Sequence, residues 1–234
     1  MITMVVSPGD LKEAEVVVEG ASYRHLFRAR RLANGDTVRL VDGLGTARFS
    51  RAVEISRTAA RLELGNSAPA NEPQKRVELL APIPKATRLA WMVEKATEVG
   101  VGAIRLIQTA RAPRTIGASS LDRLRRVATA AVEQSHRSVV PAITGVHPWT
   151  EIQTLLESAS ERWVMQPGAE SVPAPSPSAP SCLLLGPEGG WTKGEWNELL
   201  DRECRPLGLG TTVLRLETAA IVGCAGLLIS DIFR

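Results

Sequence analysis

Residues 183–195 read Leu-Leu-Leu-Gly-Pro-Glu-Gly-Gly-Trp-Thr-Lys-Gly-Glu, and this stretch decides the fold class. The leucines continue the run from Ser181 and Cys182, a short apolar segment of the kind a parallel sheet buries on both faces. Thr192 with Glu195 three residues on is a capping-box pattern, so a helix starts there. A buried strand that passes through glycines straight into a helix is the joint of an α/β sheet. Open α/β sheets bind ligands at the carboxyl ends of their strands, where glycine lets backbone groups approach closely. A plain strand-to-helix turn needs glycine too, and this segment alone leaves both readings open.

Downstream the pattern repeats. Residues 205–216 (RPLGLGTTVLRL) again end a strand in glycines. A helix apolar on every side is expected from Ala219 to Phe233, which places it in a core or an interface. Glu217, near its start, is favoured by the helix dipole and reads equally as a cap or a ligand residue. Upstream, strand-like runs at 77–83, 103–108, 141–146 and 162–166 alternate with helices expected over Lys85–Val99 and Leu121–Gln134. Alternation of this kind argues a largely parallel α/β sheet over residues 74–234. Gly100 is placed as a helix C-cap. No GxxxxGK[ST] loop exists, and the GxG matches at 100–102 and 208–210 lack a dinucleotide fingerprint's third glycine.

Before Asn66–Pro73, a polar linker containing proline, the rhythm differs. Short runs at 16–20, 36–43, 46–56 and 59–65 are rich in Val, Ile and Thr and bounded by turn residues, so residues 1–70 are expected to form a small β-barrel. Between Ala21 and Arg61 stand nine arginines against Asp36, Asp42 and Glu54, a local excess suited to phosphate contacts. A short helix over His25–Leu32 would carry Arg28, Arg30 and Arg31. Ser171–Pro180 reads as a Pro/Ser/Ala loop.

The chain has 234 residues and a formal charge of +3. With no signal peptide and no apolar run long enough to span a bilayer, it is expected to be cytoplasmic. Cys182, Cys204 and Cys224 fit neither a disulfide framework nor a metal site and read as buried small hydrophobes. His25, His136 and His147 have no ligand spacing, so no metal is expected.

HLFRARRLANGDTVRLVDG (25–43), KATRLAWMVEKATEVGV (85–101), EQSHR (133–137), LLLGPEGGWTKGE (183–195) and LGLGTTVLRLETAA (207–220) occur in this order. Together they resemble the RsmE family, the ribosomal RNA small-subunit uracil-N3 methyltransferases of the SPOUT class. The likeness spans nearly the whole chain. It implies a PUA-like barrel followed by a trefoil-knotted α/β domain, a homodimer, and 16S ribosomal RNA as substrate, taken in the assembled small subunit. Such knots are nearly absent from proteins, and periodicity does not suggest one. The resemblance implies S-adenosylmethionine as cofactor, wrapped by Leu185, Gly186, Pro187, Gly189 and Gly190 from the first turn. From the second turn it implies Leu209, Gly210, Leu214, Arg215 and Glu217. RNA contacts fall to His25, Arg28, Arg30 and Arg31. The chain departs from the family at Leu216, where Thr is usual, at His136, where Gly is common, and at Ile2–Val6, which lacks an Arg-aromatic opening.

Uracil N3 carries a proton, so its methylation requires a base or a cation that stabilises the uracil anion. Arg215 and Arg137 are the cationic candidates and Glu188 and Glu217 the carboxylates. For Arg137 a helix salt bridge to Glu133, four residues earlier, is the favoured reading. Two other readings stay open: a SPOUT enzyme acting on another RNA base or on transfer RNA, and a non-catalytic ribosome-assembly factor.

Overall fold

The computed structural model describes residues 1–24, 32–169 and 179–229. The stretch His25–Arg31, most of the Ser171–Pro180 loop and residues 230–234, over which the expected last helix was to run, lie outside them. The chain divides into two compact units, Met1–Glu72 with Val132–Val140, and Pro73–Ala131 with Pro141–Arg234.

The first unit holds five strands, β1 (Ile2–Val5), β2 (Glu15–Glu19), β3 (Thr37–Val41), β4 (Ala47–Ile55) and β5 (Ala59–Ser67), in the order β1-β3-β4-β5-β2. A short helix, α1 (Gly20–Tyr23), follows β2. Four strands coincide with the runs expected from sequence. β1 was missed: it pairs in parallel with β3, and a four-residue strand gives too few positions for a pattern. Alternation sets the core, as in β2, where Val16 and Val18 are buried and Val17 is exposed. They pack with Met4, Val38, Leu40 and Leu62.

A return segment closes this unit. Arg39, fully buried, donates to the carbonyls of His136 and Arg137 at 3.2 Å, to Pro69 O at 2.6 Å and to Ser138 Oγ at 2.5 Å. Glu72 accepts from Arg137 Nη2 at 2.6 Å and from the Ser138 and Val139 amides at 2.7 and 2.9 Å. Buried charges persist when they are paired and hydrogen-bonded. Arg137 and Glu72 form an ion pair, whereas Arg39 is held by neutral acceptors and its Nε has no hydrogen-bond partner among the described residues. The expected basic surface is smaller than the arginine count implied. Arg39 is internal, Arg48 donates to the Gly65 and Leu11 carbonyls, and Arg61 pairs with Glu15 and Glu54.

The second unit is a parallel sheet of β6 (Val77–Pro82), β7 (Ala103–Ile107), β8 (Ala142–His147), β9 (Glu161–Met165), β10 (Ser181–Leu184) and β11 (Arg205–Leu207), ordered β11-β9-β10-β6-β7-β8. The central strands β6 and β10 are buried at every position, as their mostly apolar sequence requires, and the one buried carboxylate in them, Glu78, is paired with Arg105. Helices α2 (Ala86–Val99), α3 (Ala118–Ser135), α4 (Ile152–Glu157) and α5 (Lys193–Asp201) lie between strands, and α6 (Leu216–Leu228) follows the last one. α2 buries Leu89, Val93 and Ala96, as periodicity places them, and Met92 and Thr97 besides. It ends at Gly100, left-handed at φ 117°, whose amide bonds the Ala96 and Thr97 carbonyls. α6 begins three residues before the expected Ala219, which puts Glu217 inside its first turn.

Candidate active site

Because the strands are parallel, their carboxyl ends open on one edge, and two loops there enclose a cleft of about 350 Å³. The first leaves β10. Its turn is closed by the Gly190 amide on Pro187 O at 2.8 Å. Gly190 sits at φ 72°, a conformation that costs a residue with a Cβ about 1–2 kcal/mol. The second leaves β11 and passes Gly210, at φ 97°, to Arg215, the N-cap of α6.

The first loop is held by an expected capping box and by two distant partners that sequence reasoning passed over, Ala110 and Arg111. Thr192 and Glu195 form the expected capping box, and Glu195 Oε2 accepts from the Thr192 amide at 2.8 Å. The other oxygen of Glu195 accepts from the Ala110 amide at 2.8 Å, which joins this loop to the one after β7. Arg111, on that β7 loop, donates to Gly189 O at 2.6 Å. The capping box is visible as a local pattern, whereas partners some eighty residues away leave no local signal.

Leu185, Gly186, Pro187, Gly190, Leu209, Gly210, Leu214 and Arg215 all line the cleft, as do Glu188 and Met165. Gly189 does not; its carbonyl faces Arg111. Glu217 lies behind the wall, only 6% exposed, and its Oε2 has no hydrogen-bond partner among the described residues. Arg88 of α2 stands between the two carboxylates, with Nη1 3.6 Å from Glu188 and Nε 3.5 Å from Glu217. It lies within a quoted motif but off the helix's apolar stripe, so nothing in the sequence singled it out. Arg215 has no acceptor among the described residues.

Arg137 belongs to the first unit, where Glu72 holds it. Glu133, its expected helix partner, accepts from the Val5 amide at 3.1 Å. His136 shares that unit: its Nδ1 lies 2.8 Å from Thr3 Oγ1, and its φ of 59° is the conformation glycine adopts most easily. His25, Arg28, Arg30 and Arg31 lie outside the described residues. Among the described residues no cluster of His, Cys, Asp and Glu is suited to a metal ion, and no helix is long and apolar enough to cross a membrane.

Comparison with known proteins fits this geometry. The RNA methyltransferase domain family matches residues 70–228, and the RNA methyltransferase PUA domain family matches residues 18–64. The chain is 29% identical to the ribosomal RNA small subunit methyltransferase E of Synechocystis, across 95% of this chain and 75% of that one. It is 30% identical to the Mycobacterium bovis protein of the same name, across 93% and 88%. Its fold resembles the crystal structure of the Neisseria gonorrhoeae ribosomal RNA small subunit methyltransferase E bound to S-adenosyl methionine. That likeness has a TM-score of 0.87 at 24% identity and covers 99% of this chain and 98% of that one.

Proposed function

We infer the activity from one premise: the chain belongs to the ribosomal RNA small-subunit methyltransferase E family. We propose that it methylates N3 of a uridine in 16S ribosomal RNA, with S-adenosylmethionine as donor. The observation that carries the reading is the cleft itself, two glycine turns facing one another with the unpaired Arg215 in the wall.

The cleft suits that cofactor. Its volume lies in the roughly 300–1,000 Å³ range of small-molecule sites, and Leu185, Leu209, Leu214 and Met165 give it apolar walls. The left-handed Gly190 and Gly210 keep side chains out of the backbone's path. When bound, S-adenosylmethionine supplies a methyl group on a positively charged sulfur.

The chain's residues then have to orient the base and manage one proton. Arg215, without an acceptor among the described residues, stabilises negative charge on a deprotonated uracil. Glu188, exposed at the cleft mouth, is the carboxylate placed to take the N3 proton. Glu217, buried and facing Arg88, orients that cation. Arg137, committed to Glu72, maintains the first unit. The remaining features are part of the same proposal. They are the PUA-like unit contacting phosphates through His25, Arg28, Arg30 and Arg31, a trefoil knot in the second unit, and a homodimer acting on the assembled small subunit.

The test incubates small subunits from a deletion strain with the protein and labelled S-adenosylmethionine, then identifies the nucleoside. 3-Methyluridine is the expected product. A methyl group on guanine, on a ribose oxygen or only on transfer RNA would overturn the substrate, and no transfer with no cofactor binding would leave a non-catalytic assembly factor.

A further inference from the structure

Farther along the same sheet edge lies a second hollow, of about 220 Å³, over β6 and β7 and between the starts of α2 and α3. Its floor is apolar, made by the buried Ile83, Pro84, Leu89 and Leu124, while the exposed Arg114 and Arg123 stand at its rim. It is smaller than the roughly 300–1,000 Å³ of a typical small-molecule site, so it suits one planar group and not a whole cofactor.

The state of the arginines is what marks it. Elsewhere in this unit Arg105 pairs with Glu78, Arg88 with Glu188 and Glu217, Arg125 with Asp122, and Arg202 with Glu198. Arg111 is committed to the Gly189 carbonyl. Arg114 and Arg123 have no acceptor among the described residues, and no carboxylate lines the hollow. Two uncommitted guanidinium groups beside an apolar slot are complementary to a phosphate next to an unstacked base. Proteins that read single-stranded RNA combine those contacts.

Topology places the hollow on the same sheet edge as the cofactor cleft. All six strands run parallel, so the loops after β6 and β7 open on the same edge as those around the cofactor cleft. Arg111, from the β7 loop, touches the very turn that walls the cleft. We propose that this hollow is a second RNA subsite, which takes an unstacked base flanking the methylated nucleotide and holds its phosphate on Arg114 and Arg123. The proposal rests on the chain's being an RNA methyltransferase.

Binding of a labelled single-stranded oligoribonucleotide to the full-length protein, followed by anisotropy over a salt series, tests it. Arg114→Glu with Arg123→Glu is expected to weaken binding tenfold or more. It should also lower the slope of log K against log salt by about 0.7, for the one phosphate that the two arginines share. Calorimetric affinity for S-adenosylmethionine should not change, and the doubly lysine-substituted protein should keep most of the slope. The same reversal at Arg125 and Arg126, on the same helix outside the hollow, should cost clearly less. Wild-type RNA binding by the Arg114/Arg123 variant would overturn the subsite, and so would an equal loss from both pairs. Weakening on assembled subunits with naked RNA unaffected would assign this face to a protein and overturn it too. A wild-type protein that binds neither RNA nor S-adenosylmethionine would instead sink the methyltransferase reading beneath it.

Discussion

Arg88 sets the electrostatics of the cleft wall. Glu217 is buried with one oxygen lacking a hydrogen-bond partner, and among the described residues the cation against it is Arg88, at 3.5 Å. Breaking a fully buried pair costs about 3–5 kcal/mol. The Arg88 side chain is a third exposed, so solvent screening reduces the expected cost of Arg88→Ala to about 1–2 kcal/mol. The companion Glu217→Gln removes the charge that Arg88 answers. The double variant should therefore melt above the sum of the single losses, as coupled neighbours do; strict additivity in a thermal cycle would rule the pair out. The cysteines give a second residue-scale expectation. Burial pushes the thiols of Cys182 and Cys224 up to about 12 and that of Cys204 to about 11. An acid whose folded pKa is raised contributes stability that is complete below its unfolded value of 9.0 and is lost as pH rises toward 11–12. Native protein should resist thiol reagents at pH 8 and lose stability between pH 9 and 11; rapid labelling of folded protein would contradict the burial. That these cysteines are apolar filling was legible from their spacing and number. Arg88 was not, because its partners lie on other elements.

The two glycine turns are the elements on which the site depends, and both were legible because strand, glycine and helix start are contiguous in the chain. Their geometry yields a sharp expectation at Gly190. Its φ of 72° is one a β-branched residue adopts only with strain. A Cβ there would meet nothing closer than Arg111 Nη1 at 3.9 Å. Gly190→Val should therefore leave the sheet folded but displace the turn, with S-adenosylmethionine affinity falling at least a hundredfold by calorimetry. Circular dichroism distinguishes this from unfolding. A folded variant with native affinity would remove this turn from the cofactor site. What the sequence did not disclose is how the turn is held. Glu195 reads as the end of a capping box, yet its second oxygen reaches Ala110. β1 escaped for a related reason, since its pairing with β3 spans more than thirty residues and its four positions carry no period of their own.

At the scale of the whole molecule, local pattern described each unit's interior better than its closure. Nothing near Glu72 or Arg39 indicates that both receive residues 136–139, because buried ion pairs are chosen by tertiary proximity. The apolar character of α6 was legible, and the structure divides it. Ala220, Cys224 and Leu227 are buried inside the second unit, and a Cβ on Gly223 would approach Leu183 to 2.7 Å, so the helix lies close on β10. Val222, on the same helix, remains 43% exposed, and so does Trp91 on α2, the helix against which α6 packs. Exposed apolar side chains on helices are what a subunit interface covers. A second copy of the chain is the expected occupant. Val222→Asp changes a side chain that this unit does not bury, and it should convert dimer to monomer while leaving the thermal transition of the fold largely in place. Leu228→Asp, by contrast, buries an unpaired charge inside the unit and should unfold it. Sedimentation at micromolar concentration separates the two variants. A wild-type monomer, or a Val222→Asp protein that remains dimeric, would show that this face is not where the copies meet.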